Sequence, residues 1–478
     1  MTETALPAPH AGVRRRAFFG LFDADGWAWA GVKAAIWFVL IIIVLGYIPD
    51  RAYYFTVQKT VDIGLLSWAP VNFCPPENET LPCPAPAGAA VPWKTAPAEL
   101  QLPAGRAGGA AAVIGQVYLY AGGTDGKAAT DTVFVSHTTG LGNLVAWSNG
   151  PALPEARTDA ASIVLGNTLY VIGGYGLDGK PTATTYSLTV ANDGSLGAWK
   201  TEPKLALSAP RAGSTAVAVS DGIVVMGGTD GTVATRSVWK SQQDTTGALG
   251  AWTDQYPLAE ANLDGYASHV GDVIYVIGGQ NDKGETVSTV QEGLVGGGPS
   301  ATAKNPNVID AWRTSAQVNL PGPRTAFAGF TSNGTIYVVG GSDGANPRTE
   351  MLWAIPDANG VIPEWHHLAQ ADIGEGIAGS RGIAAGAYAF IVGGQTPGGV
   401  TTGTARANLA PQLPFFQVGV LGATIPALKL DGEIGQQIGY IAAGTVGAVN
   451  FVLLLLVGWG FAHKERVREL LARARRRR

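Results

Sequence analysis

Residues 168–179 read TLYVIGGYGLDG: a short apolar run with one tyrosine, a Gly-Gly pair, then a turn carrying Gly and Asp. The phrase recurs along the chain in lightly varied form. Its Gly-Gly pairs begin at Gly122, Gly173, Gly227, Gly278, Gly340 and Gly393, spaced by 51, 54, 51, 62 and 53 residues. A period near 50 marks an array built from one supersecondary unit. Each pair closes an apolar run (VYLYA, LYVI, IVVM, IYVI, IYVV or AFIV). Short β-branched and aromatic runs stopped by glycine read as buried strands.

Two further signatures keep step with the first. Leu or Ile stands three residues before a tryptophan in LVAW (144–147), LGAW (196–199), LGAW (249–252), IDAW (309–312) and IPEW (362–365), while Trp93 in AVPW lacks that aliphatic. Arg106, Arg157, Arg211 and Arg324 each precede the second glycine of their pair by 17 residues, and Asn262 and Ile377 occupy the two remaining slots.

These residues resemble the kelch repeat, a four-stranded β-propeller blade marked by a Gly-Gly pair, a downstream Trp and intervening aromatic and Arg positions. The resemblance covers about residues 90–410 and implies an all-β, six-bladed propeller. The pattern also has a physical reason of its own. A lone twisted four-stranded sheet leaves both faces wet, so blades pack face to face around an axis, with Gly where backbones crowd and Trp between neighbours. With strands named a to d from the axis outward, the sixth unit has a, b and c near 383–409 but no tryptophan after them. The strand around Trp93 is predicted to supply the missing d strand and close the ring without a free edge. A seventh blade assembled from 52–70 and 412–430 is the alternative.

Both ends of the chain carry long apolar runs. Residues 31–48 are apolar apart from Lys33, and residues 438–461 carry no charge. Helices of about 18 to 24 residues match a hydrocarbon core of about 30 Å. Arg14, Arg15 and Arg16 precede the first run, and the tail after the second includes Lys464, Arg466, Arg468, Arg473 and Arg475. By the positive-inside rule both ends are cytoplasmic, in a two-pass protein of the cytoplasmic membrane. The expected order is a cytoplasmic N-terminus (1–30), a transmembrane helix (31–48), an outer linker (49–89) and the propeller (90–410). A membrane-proximal segment (411–437), a second transmembrane helix (438–461) and a basic tail (462–478) follow. The net charge is −4; setting aside the tail's +6 and Lys33 leaves −11 on residues 49–461. Such an acidic outer domain argues against a nucleic-acid partner.

Cys74 and Cys83 lie on the outer side, where a disulfide is the expected state. Phe415 and Phe416 are expected at the membrane interface. Gly435 and Gly439, then Gly444 and Ala448, have the small-xxx-small spacing that lets another helix approach closely.

No catalytic or metal constellation is evident. The copper oxidase of this repeat class needs a Cys-Tyr pair and two histidines, and the propeller region holds no cysteine. Its histidines are His137, His269, His366 and His367; the last two are neighbours on a predicted outer strand and point to opposite faces. Asp-Gly at 125–126, 230–231 and 343–344 reads as tight-turn chemistry. The expectation is therefore a protein that is not an enzyme, with no cofactor and no metal. A glycan-directed envelope enzyme is the alternative, favoured by a channel holding two convergent carboxylates within about 10 Å.

Blade topology puts the b–c and d–a connections on one face, expected to be distal to the membrane. Arg106, Arg157, Arg211 and Arg324 should gather there with the post-glycine residues Thr124, Tyr175, Thr229, Gln280, Ser342 and Gln395. In kelch domains that bind partners, equivalent loops supply contacts, so these are the candidate binding residues; bracing of its own blade is the alternative for each Arg. The longest unit owes its length to 292–306, a c–d loop on the opposite face. Composition suggests a GC-rich actinobacterium. The layout is similar to the propeller proteins that assist lipid exporters in mycolate-making bacteria. That resemblance implies a bilayer setting, another membrane protein such as a lipid exporter as partner, and trehalose-linked mycolate, a glycolipid, as ligand.

Overall fold

The computed structural model describes residues 88–409 except 139–143, 297–307, 358 and 387, together with residues 36, 37 and 40. The chain divides into two compact units, 70–412 and 1–69 with 413–478. The first is an all-β propeller of six four-stranded antiparallel sheets.

Five blades are built from consecutive strands. In the second blade these are Ala161–Leu165, Thr168–Ile172, Thr185–Thr189 and Lys200–Thr201. The sixth runs Arg381–Ala385, Tyr388–Val392, Thr404–Leu409 and then Ala90–Thr95 as its outer strand, so the Trp93 segment closes the ring as expected. That strand's register slips between Val91 and Lys94, on either side of Pro92, which has no N–H to give to a ladder. The seventh-blade alternative would have used segments outside the described residues.

Burial explains the sequence of each strand. The b strands are mostly apolar, and VYLYA at Val117–Ala121 is buried along its whole length. The a strands alternate, as in AAAVI at Ala110–Ile114, because one edge of the pattern meets the axial channel. The hydrophobic core lies between blades. Where the last blade meets the first, Tyr118, Phe134 and Trp147 pack with Tyr388, Phe390 and Val392.

Two sets of polar links join neighbouring blades. In all six, the second glycine of the pair donates its N–H, at 2.7 Å, to the carbonyl of the Arg-slot residue of the next blade, ending with Gly394 to Arg106. A Cβ on the first glycine would collide with that same carbonyl, and the first glycines sit at φ near +60°. The pair therefore repeats because two backbones touch there. At the perimeter, the indole N–H of Trp147, Trp199, Trp252, Trp312 and Trp365 donates to Leu100, Pro151, Leu205, Tyr256 and Val318 O of the preceding blade, at 2.8 to 3.1 Å. Trp199 and Trp252, expected to be largely buried between blades, are half-buried, whereas Trp147 and Trp312 are buried.

Among the described residues no helix is long and apolar enough to cross a membrane. The two terminal apolar runs lie outside them apart from residues 36, 37 and 40, as do Cys74, Cys83, Phe415, Phe416, Gly435, Gly439, Gly444 and Ala448.

Candidate functional site: the channel mouth

Two residues beyond each Arg slot the chain turns into strand a, and the six corner residues are Gly108, Asp159, Gly213, Asp264, Ala326 and Gly379. All six have φ between +50° and +66°. Each corner N–H donates to the corner carbonyl of the blade before it, at 2.6 to 2.9 Å, and the last donation, Gly108 to Gly379, closes a continuous ring of six hydrogen bonds. The left-handed conformation is what turns each N–H toward its neighbour, so glycine is the least strained choice. Two aspartates and an alanine nevertheless stand in the ring.

The ring borders an axial channel of about 500 Å³. Its wall is mostly small (Ala111, Ala160, Ala216), with hydroxyls from Ser162, Thr215, Ser268 and Thr331 and charge from Asp159, Asp264 and Arg381. Each aspartate leans over the glycine before it in the ring: a Cβ at Gly108 would strike the Asp159 carboxylate, and one at Gly213 the Asp264 carboxylate.

The two carboxylates are not equally served. Asp159 accepts from Thr158 Oγ1 at 3.1 Å and lies 3.7 Å from Arg381 Nη2. Arg381 in turn donates Nε to Gly109 O at 2.6 Å, so its guanidinium is held between the first and last blades. Asp264 has no hydrogen-bond or ion-pair partner for its carboxylate among the described residues. Burial, then repulsion from Asp159, pushes the Asp264 carboxyl up to about 7 against a weaker pull from Arg381. Burial also raises Asp159, with Arg381 and Thr158 opposing it.

Tyr175 belongs to this site. Its backbone pairs with Thr158, next to Asp159, and its phenol is held above the ordinary range by burial and then by the charges of Asp264 and Asp159. Gln280 pairs with Leu263, next to Asp264. Further along the wall, His269 Nδ1 lies 3.0 Å from Ala218 O, and burial lowers its pKa.

The other predicted residues do different work. Thr124, Thr229 and Ser342 accept from the backbone of Gly126, Gly231 and Gly344, shaping the turns that follow them, and Thr229 is buried. Gln395 is exposed on a short hairpin. The four arginines are buried, which favours the bracing alternative over recognition. Arg106 bonds Thr132 and caps the Phe134 ring; Arg157 bonds Glu155, Thr184 and Tyr186; Arg211 covers Trp239; Arg324 bonds Gly340 O. Each braces its own blade. The Asp-Gly turns are likewise structural, with Asp125 and Asp343 accepting from backbone N–H groups of their own loops. His366 and His367 sit on the outer strand as expected. Of the loop 292–306, residues 292–294 belong to strand Val290–Leu294 and 297–306 lie outside the described residues.

Asp159, Asp264 and Arg381 were not singled out from the sequence. Aligning the repeats on the Arg slot and reading two and four residues on would have exposed them, because charge replaces small residues there.

Repeat, ring and closure define a six-bladed propeller of kelch type, an architecture suited to binding or scaffolding. The chain is similar to kelch repeat protein M-T8 of Myxoma virus (strain Lausanne), with 26% identity over 197 residues. The match covers 41% of this chain and 34% of the relative, so the chain spans about a third of that protein's length. It is also similar to the solved structure of YjhT, at a TM-score of 0.49 and 15% identity, over 65% of this chain and 95% of that one. No protein-family model matches.

Proposed function

We propose that this protein is a membrane-anchored propeller of the cell envelope that acts by binding, and that its working surface is the channel mouth with the loops carrying Tyr175 and Gln280. One observation carries this reading: the half-buried Asp264 carboxylate borders an open channel and has no hydrogen-bond or ion-pair partner among the described residues, so its acceptor oxygens are available to a ligand. The envelope setting is supported by the terminal apolar runs and their basic flanks. The likeness in layout to propellers that serve mycolate exporters supports a membrane protein as partner and a glycolipid as cargo.

Changing Tyr175 and Gln280 together to alanine should weaken partner capture from membranes in mild detergent while leaving folding intact. Capture that survives this change, yet is lost when 292–306 or 413–428 is altered, would move the working surface to the opposite face. The acid pair also supports a second reading, a glycan-directed enzyme in which Asp264 holds a proton near neutral pH. Turnover of an envelope glycan that disappears in D264N would favour it.

A further inference from the structure

We propose that the joint between the third and fourth blades is acid-sensitive, with His269 as the group that takes up the proton. Along this joint the inner strands Ala212–Val219 and Tyr266–Val270 are linked at three levels. Asp264 N–H donates to Gly213 O at 2.9 Å in the corner ring, Ala267 N–H donates to Thr215 Oγ1 at 2.8 Å midway, and His269 Nδ1 lies 3.0 Å from Ala218 O at the far end. The positions equivalent to His269 in the other blades are Val113, Val164, Ala218, Thr331 and Ala384, so no other joint carries a titratable side chain there.

The geometry decides which nitrogen holds the proton. A carbonyl only accepts, so the uncharged ring carries its hydrogen on Nδ1 and leaves Nε2 bare. Nε2 is buried and has no hydrogen-bond partner among the described residues. Charging the ring adds an N–H at Nε2 where no acceptor stands, and a buried donor without an acceptor opposes the charged form. Burial accordingly holds the His269 pKa below its ordinary 6.5, against weaker pulls from Ala218 O, Asp272 and Gly271 O. The surrounding elements add no compensating charge. The flanking inner strands Ala212–Val219 and Ala328–Ser332 and the ladder partner Val273–Ile277 contain no acidic residue, and Asp221, in the turn after the first of these, is paired with Lys240 Nζ at 2.8 Å. Tyr266 and Tyr275 of the same blade titrate far above neutrality. Because the folded pKa is depressed, this share of stability is present above pH 6.5 and is lost as pH falls below it. The strain is relieved when the ring leaves its seat, which gives up the bond to Ala218 O and loosens the channel wall that His269 lines. Asp264, at the corner before the same strand, shifts stability in the opposite direction, so the test compares variants at each pH.

The full chain, isotope-labelled at the histidine Cε1 carbons, is titrated by NMR, with H269N identifying the His269 signal. Asparagine can still donate to Ala218 O but takes up no proton. Expected is a His269 midpoint below its ordinary 6.5; a midpoint at or above that value would overturn the proposal. In denaturant unfolding from about pH 8 to about pH 5, the unfolding constant should rise several-fold more in the natural protein than in H269N. An equal or larger rise in H269N would overturn it. At the lower pH, amide exchange corrected for its intrinsic pH dependence should quicken at Ala267, which bridges this joint, before Gly379, which bridges the fifth and sixth blades. Equal quickening at both would mean general loosening in place of an opened joint, and would overturn it as well. If H269N does not fold, the exchange comparison on the natural protein decides alone.

Discussion

The perimeter and the axis of the propeller meet the same demand, that each blade hold the one before it, and they meet it differently. At the perimeter every blade uses tryptophan, and five indole N–H groups reach equivalent carbonyls. At the axis every blade uses a left-handed corner and a backbone hydrogen bond, yet the residues run Gly, Asp, Gly, Asp, Ala, Gly. Where the side chain itself makes the link, its identity repeats. Where the backbone makes the link, the side chain is free to differ, and the two departures toward charge face the axial channel.

Removing a whole element tests the perimeter most severely. Deleting residues 88–98 takes the outer strand from the last blade and bares the edge of Thr404–Leu409. Stability of the propeller should fall by about 5 kcal/mol or more in denaturant unfolding. An unchanged transition would mean that closure does not depend on this strand.

Within the perimeter, Trp252 and Trp93 can be set against each other. Trp252→Ala should cost about 3 kcal/mol, from packing against the second blade and a lost hydrogen bond to Leu205 O. Phenylalanine at the same position should cost about 1 kcal/mol through the hydrogen bond alone. Trp93 is the exception among the six, since its indole Nε1 is buried without a hydrogen-bond partner among the described residues. Trp93→Phe should therefore be neutral or slightly stabilising; a loss equal to that at Trp252 would show that the sixth link exists in solution.

The axis should reveal itself through pH. The folded Asp264 carboxyl titrates near 7, above its ordinary 3.8, so the folded state holds a proton that the unfolded chain has released. That stability is present below about pH 4, is lost as pH rises toward 7, and stays lost above it. Asp159 shifts in the same direction, and Arg381 and Tyr175 are the other charged or titrating groups at the mouth. D264N removes the largest part of the slope: it should match the natural protein at pH 4 and exceed it by about 1 to 2 kcal/mol at pH 8. Parallel stability curves across that range would remove the acid pair from the argument.

The smallest effect separates backbone from side chain in the ring. Ala326 holds φ +50° with no polar role, so Ala326→Gly should stabilise the domain by about 0.5 to 1 kcal/mol. A loss instead would show that the alanine side chain is needed at the axis.

Six blades rather than seven was decided by the closed ring; the sequence by itself determined the repeated blade, the strand order within it and the closing strand at Trp93. Each follows from a demand that recurs every 50 residues or so: two backbones touching at Gly-Gly, an indole crossing to its neighbour, a mostly apolar b strand. It also offered each Arg slot as either recognition or bracing, and only burial chose bracing. Tyr175 was legible as a candidate because it varies at a repeated position. Its neighbours Asp159, Asp264 and Arg381 were not, because their chemistry depends on which corner of which blade faces the axis. That is a property of the closed ring: residues far apart in the chain become electrostatic neighbours only when six sheets surround one channel, where reduced solvent screening lets the two carboxylates feel each other and the nearby guanidinium.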